Sequence, residues 1–156
     1  MESTNKLHKS LIYTSNAHRK VCRSYFAKLN LSDGQPKVLE ALLEREGYLQ
    51  KDLAQRCHVE PATMTIILGN MDKRGLIRRE TAHVSGGKRA YAVYLTESGK
   101  AMAEEVEKIV DSVESECLLN FSEDEKKLFM ELLDRAGKNL ANMYNQAVSD
   151  QKNQGL

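Results

Sequence analysis

The segment LQKDLAQRCHVEPATMTIILGNMDKR, Leu49 to Arg74, leaves a folding chain little choice. Leu53 and Ala54 mark the inward side of a short helix over Leu49–Arg56, and Cys57-His58-Val59 leaves room only for a tight turn. Pro61 then fits the first turn of a second helix reaching about Arg74, a position where its missing N–H costs little. Two helices joined by so short a turn read as a helix-turn-helix. On the second helix Met64, Ile67, Leu68 and Met71 recur at i, i+3, i+4 and i+7 and define the buried face. Ala62, Thr63, Thr65, Ile66, Gly69, Asn70 and Lys73 are left outward, a small and polar surface with one bare isoleucine. Such a surface suits the major groove of double-stranded DNA, where hydroxyls and amides meet base edges and methyls meet the thymine methyl. An ordinary solvated helix face has the same composition, so the flanking segments must decide.

Gly75 is placed to end that helix, and two β-prone runs follow, LIRRET and RAYAVYLT. The second alternates Tyr91, Val93 and Leu95 against Ala90, Ala92 and Tyr94, and between the two lies AHVSGGK. A nucleotide-binding phosphate loop ending at Lys88 needs glycine at position 82 and a hydroxyl residue at position 89, where the chain has Ala82 and Arg89. A flexible linker does not fit either, because strand patterns run into both sides of the glycines. What remains is a wing, a hairpin able to lay Arg89 along a minor groove or phosphate backbone.

The formal net charge of +1 conceals segregation. Residues 1–48 hold 8 Lys/Arg against 5 Asp/Glu, residues 49–96 hold 8 against 4, and residues 97–156 hold 7 against 13. Six basic residues and one acid fall between Lys73 and Arg89, a concentration that suits a polyanion. The N-terminus MESTNKLHKS has no basic-then-apolar signal and no apolar run approaches membrane-spanning length, so a cytoplasmic protein with no membrane association is expected. Three scattered cysteines, Cys22, Cys57 and Cys117, form no disulfide framework, and no His/Cys/Asp/Glu set stands at metal-ligand spacing. Adjacent Cys57 and His58 point about 100° apart on a helix and make no nucleophile–base pair. No enzyme, metal or cofactor is expected.

Periodicity predicts a long first helix, Ser3 to Lys28, with Leu7, Leu11, Val21, Tyr25 and Leu29 near one stripe. A second opens with Ser32 and Gln35 as a capping box, carries Pro36 in its first turn, buries Val38, Leu39, Leu42 and Leu43, and ends at Gly47. Thr96 can cap a helix with Ala101, Met102, Val106, Ile109, Val110, Val113 and Cys117 inward. Ser122 and Glu125 form another capping box before Leu128, Leu132, Leu133, Ala136, Leu140 and Met143. These stripes exceed what one winged helix can bury, so a partner surface is expected, with an intramolecular bundle as the alternative. The expected fold class is mainly α with a small two- to three-stranded β wing. Its parts are a dimerisation helix over 1–30, a winged helix-turn-helix over 31–96, dimerisation helices over 97–148 and a disordered tail over 149–156.

Leu-Ala-x-x-x-x-Val-x-x-x-Thr-x-Thr (Leu53 to Thr65), Gly-Leu-Ile-x-Arg (Gly75 to Arg79) and Val-x-Leu-Thr-x-x-Gly (Val93 to Gly99) together resemble the MarR family of bacterial winged-helix transcription regulators. The resemblance spans about residues 5 to 145. It implies an obligate homodimer on a pseudo-palindromic operator, with DNA affinity lost on binding small phenolic or lipophilic compounds or on thiol oxidation. Thr63, Thr65 and Asn70 are expected to read bases, Lys73 and Arg79 to hold phosphate or support the wing, and Arg89 to enter the minor groove, with Ala62, Ile66 and Lys88 also in the DNA-binding surface. Two departures stand out. The family's Asp-x-Arg before the second wing strand is Gly87-Lys88-Arg89 here, so the orienting carboxylate is absent, and the wing is about two residues longer than usual. Ile66 stands where many relatives carry an arginine. An effector pocket is expected where the first helix, the Ser32 helix and the Thr96 helix meet, with Tyr13, His18 and Tyr25 as candidate lining and a small aromatic or lipophilic compound as occupant. Cys22 is the candidate for oxidant sensing. A helical adaptor that no longer binds DNA is the remaining alternative to a ligand-released repressor.

Overall fold

The structure, a computed structural model, describes residues 6–154 of the chain. Six helices and three strands follow one another as α1 (Leu7–Lys28), α2 (Gln35–Glu44), β1 (Tyr48–Leu49), α3 (Gln50–Arg56), α4 (Pro61–Lys73), β2 (Ile77–His83), β3 (Arg89–Leu95), α5 (Glu97–Cys117) and α6 (Glu123–Gln154). They divide into two compact units, Met1–Glu114 and Ser115–Leu156. The mainly helical fold with its small sheet is the one expected. The start of the first helix at Ser3 lies outside the described residues.

The first unit is organised by one core. Val38, Leu39 and Leu42 of α2, Leu53 of α3, Met64, Leu68 and Met71 of α4, Ile77 and Val93 of the sheet and Val106 of α5 are all fully or almost fully buried. A left-handed residue ends each helix of the helix-turn-helix. His58, at φ 53°, closes α3, with the Val59 N–H donating back to the Ala54 carbonyl, and Gly75, at φ 69°, closes α4, with Leu76 donating to Met71. Both follow the pattern in which a left-handed residue lets the chain satisfy the last free helix carbonyls.

The sheet is antiparallel in the order β1-β3-β2. β2 and β3 pair from Ile77 opposite Leu95 to His83 opposite Arg89, while Tyr48 and Leu49 add a short third strand against Val93 and Ala92. The simple alternation expected for β3 does not hold. Ala92 is buried together with Val93, because β3 is the central strand, and Tyr91 is exposed, because the hairpin has left the core by that point.

Several expected details shift. The Ser32 N–H donates to Gln35 Oε1 at 3.1 Å, but α2 begins only at Gln35, after Gly34 at φ 87°, so Ser32 makes half of the expected reciprocal pair. α2 ends at Glu44; Gly47 sits in the following turn, its N–H bonded to the Val93 carbonyl. On α1 only Cys22 is buried, and Leu7, Val21 and Tyr25 are exposed because this chain covers only the side of α1 that carries Cys22 and Phe26. On α5 the buried residues are Gly99, Ala103, Val106 and Val113, while Ala101 and Cys117 face solvent. The cause is Gly99, which packs its backbone against Leu76 and so sets the rotation of the helix. Thr96 caps α5 as expected, its Oγ1 accepting from the Gly99 N–H at 3.0 Å.

In the second unit the Ser122–Glu125 box is complete. The Ser122 N–H donates to Glu125 Oε2 at 2.8 Å and the Glu125 N–H donates to Ser122 Oγ at 3.2 Å. None of the α6 residues whose burial is described is buried: Leu128, Leu132, Leu133, Leu140 and Met143 are exposed. It continues through Gln154, so the segment from 149 that was expected to be a disordered tail is helical that far, prolonging an amphipathic stretch without a breaker.

A methyl group at residue 99 would stand 1.8 Å from the Leu76 carbonyl oxygen, a backbone atom that cannot step aside. Gly99→Ala is therefore expected to destabilise the protein by about 1–3 kcal/mol or more, read as a lowered urea midpoint.

Candidate nucleic-acid interface

The inner face of α4 is fixed by Met64, Ile67, Leu68 and Met71, all buried. Ala62, Thr63, Thr65, Ile66, Asn70 and Lys73 consequently stand exposed on the other side, and the Ile66 side chain is 66% exposed. Of the seven outward residues inferred from the sequence these six share one open surface, and Gly69 is half-buried. Thr65 is less free than its exposure implies. Its hydroxyl donates to the Pro61 carbonyl at 3.1 Å and accepts from Gln50 Nε2 at 2.8 Å.

The basic cluster divides into two sets. Arg74 lies across the end of α1, donating to the Asn30 carbonyl at 2.6 Å, to Gln35 Oε1 at 3.3 Å and to the Leu29 carbonyl at 3.4 Å. Arg78 pairs with Glu80 and lies 4.6 Å from the centre of the Tyr94 ring. Arg79 donates to Asp72 Oδ2 at 2.8 Å, tying β2 to the last turn of the recognition helix. Lys73, Lys88 and Arg89 have no ion pair or side-chain hydrogen bond among the described residues. Partnered arginines build the geometry, and these three cations offer uncompensated charge.

Arg89 opens β3 opposite His83, beside the tip of the wing. Gly86 and Gly87 both have positive φ, 87° and 73°, a conformation that glycine adopts at no steric cost. The carboxylate absent from the tip has a partial counterpart elsewhere, since Asp72 orients Arg79 but not Arg89. The role of Asp72 was not legible, because it depends on β2 folding back along the end of α4.

A cavity of about 630 Å³ lies between α1, α2 and α5, where an effector pocket was expected. Ser15, His18, Cys22, Phe26, Glu40 and Val110 are among its walls. Of the three candidate lining residues only His18 reaches it, with Nε2 3.5 Å from Cys22 Sγ. Tyr13 points away into a shallow groove with Ile12 and Lys20, and Tyr25 is exposed beneath the Lys28 ammonium. Both tyrosines sit on other faces of the α1 helix. Burial raises the Cys22 thiol above its ordinary range and Glu40 raises it further, so little thiolate is present at neutral pH. Glu40 is itself raised by burial and by Glu44 and Glu114. Among the described residues no group of three His, Cys, Asp or Glu is placed to hold a metal ion, and no helix is long and apolar enough to cross a membrane.

Core, turn, recognition helix and two-stranded flap define a winged helix-turn-helix protein. Residues 29–89 match the family model described as "MarR family". The chain is 35% identical over 104 residues to the transcriptional regulator HosA of Escherichia coli, covering 67% of this chain and 76% of that protein. It is 32% identical over 126 residues to the HTH-type transcriptional repressor YetL of Bacillus subtilis, covering 80% and 74%. A MarR-family regulator of Listeria monocytogenes, solved as a complex with 26mer DNA, superposes with a TM-score of 0.79 at 21% identity, covering 89% of this chain and 91% of that one. The chain belongs to the MarR family and is a transcriptional regulator of that type.

The shifted Glu40 gives a pH-dependent expectation. A carboxyl whose folded-state pKa is raised holds its proton more tightly in the native protein, so it costs stability as pH rises above the ordinary carboxylate range. Glu40→Gln should unfold at a higher temperature than wild type at pH 7. The difference should close as pH falls below about 4, where Glu40 becomes protonated in both native and unfolded wild type.

Proposed function

We propose that the protein is a homodimeric, sequence-specific DNA-binding repressor that a small-molecule effector releases from a pseudo-palindromic operator. One observation carries the reading: the small, polar outer face of α4 comes with a basic cluster, Lys73 to Arg89, in which Lys73, Lys88 and Arg89 form no ion pair among the described residues. Thr63, Thr65 and Asn70 have the size and polarity to meet base edges in a major groove, and Ile66 offers its methyls to thymine. Arg89, at the base of the wing tip, is suited to the minor groove, and Lys73 and Lys88 to phosphate. The DNA-bound state of the Listeria neighbour and the description of YetL as a repressor support this reading.

Dimerisation is supported by the uncovered apolar residues of α6, which a single chain leaves facing water. Acid excess beyond residue 97 keeps that part of the chain away from phosphate, so the basic face alone meets DNA. The effector reading rests on the cavity, whose volume suits a small organic compound, with Phe26, Leu31 and Val110 supplying apolar wall for an aromatic or lipophilic one. An oxidant-sensing role for Cys22 is the weaker reading, because a buried, protonated thiol reacts slowly. A DNA partner places the protein in the cytoplasm.

The reading is tested by fluorescence anisotropy against duplexes taken from beside the gene and against scrambled duplexes, at two salt concentrations. Tight, salt-sensitive binding that prefers the native sequence is expected; equal, weak binding to both would favour a helical adaptor. Arg89→Ala should weaken binding to every duplex and reduce the salt slope by about 1, whereas Thr63→Ala should alter sequence preference. Unchanged affinity in Arg89→Ala would remove the wing from the interface. Leu132→Glu should convert a dimer to a monomer in light scattering, since it introduces a charge into the apolar stripe of α6; a dimer that survives would relocate the interface.

A further inference from the structure

Resting on the DNA-binding reading, we propose that Gln50, the first residue of α3, is a specificity-determining residue that recognises an adenine beside the recognition helix. It belongs to the neighbouring helix and shows no recognition-helix periodicity. Its side chain nevertheless crosses to α4, where Nε2 lies 2.8 Å from Thr65 Oγ1. The bonding around that hydroxyl decides which way the amide faces. Thr65 spends its single hydroxyl hydrogen on the Pro61 carbonyl, so it can only accept from Gln50, and the amide nitrogen must face it.

The remaining groups of the amide are thereby defined. Oε1 and the second N–H hydrogen have no partner among the described residues, and the bond to Thr65 is itself exposed, on the helix that also presents Ala62 and Ile66 to solvent. One donor beside one acceptor in a plane is the edge complementary to adenine in the major groove, where N7 accepts and N6 donates. The bond to Thr65 holds the amide in one orientation before DNA arrives, which lowers the ordering cost of a two-point contact. Thr65 thus acts as an anchor for Gln50, and its own hydroxyl has only one lone pair left to offer a base.

The test is selection from randomised duplexes with wild type, Gln50→Ala, Gln50→Glu and Thr65→Val, with binding constants measured on the selected site and its single-base variants. Gln50→Ala should abolish a preference for adenine at one position, a loss of about 5- to 150-fold in discrimination there, while preferences elsewhere persist. Gln50→Glu, nearly the same shape but accepting only, should move that position towards cytosine, whose N4 donates. Thr65→Val should weaken the same preference in part and add nothing to Gln50→Ala at that position. Unchanged preference in Gln50→Ala, or an equal loss on all duplexes, would overturn the proposal and reduce Gln50 to a structural or phosphate contact. Additive effects of Thr65→Val and Gln50→Ala would overturn the anchoring. Failure of wild type to select any sequence would instead overturn the DNA-binding reading itself, and this proposal with it.

Discussion

Burial of the inner face of α4 is the constraint on which the rest depends. Met64, Leu68 and Met71 are completely removed from water and Ile67 nearly so, each worth roughly 1.5–3 kcal/mol of apolar transfer. A hydrogen bond such as that between Gln50 and Thr65 contributes about 0.5–1.5 kcal/mol, so it adjusts side chains on a helix whose rotation the core has already set. Turning α4 by one residue, about 100°, would expose this seam and bury the threonines. Gly34 lets the chain approach the seam closely, since a methyl group there would stand 2.5 Å from Ile67 Cδ1.

With the helix fixed, electrostatics divides the labour among the cations. Arg79 holds β2 to α4 through Asp72, and Arg74 holds the end of α4 to the carbonyls of Leu29 and Asn30 and to the amide of Gln35. A partly exposed ion pair such as Arg79–Asp72 adds at most about 1 kcal/mol, so its contribution is one of geometry more than stability. The segment that Arg74 grips leads directly into Leu31, Ser32, Asp33 and Gly34, which wall the cavity. A compound seated there bears on the segment that anchors the recognition helix, giving the proposed release of DNA a short physical route. Such coupling requires that the occupant bind the two arrangements of that segment unequally.

Several features were legible because they are local. The two faces of α4 follow from helical period, the Ser122 box and the Thr96 cap from spacing of hydroxyl and partner, and the wing from strand patterns on either side of Gly86 and Gly87. Others were not. The inward residues of α5 were misplaced by the expectation that Ala101 and Cys117 are buried, because the decisive contact is between Gly99 and a carbonyl 23 residues earlier in the chain. Tyr13 and Tyr25 fell away from the cavity for a related reason: which side of α1 rests on the core is settled by the elements beneath it.

The sequence by itself determined the order of the elements, the rotation of the recognition helix and the segregation of charge, since period, caps and composition act over a few residues. Tertiary structure alone decided which cations remain unpaired, which residues of α1 border the cavity, and that Gln50 reaches Thr65. Each of these depends on bringing together groups that lie far apart along the chain, and no local propensity encodes such a distance.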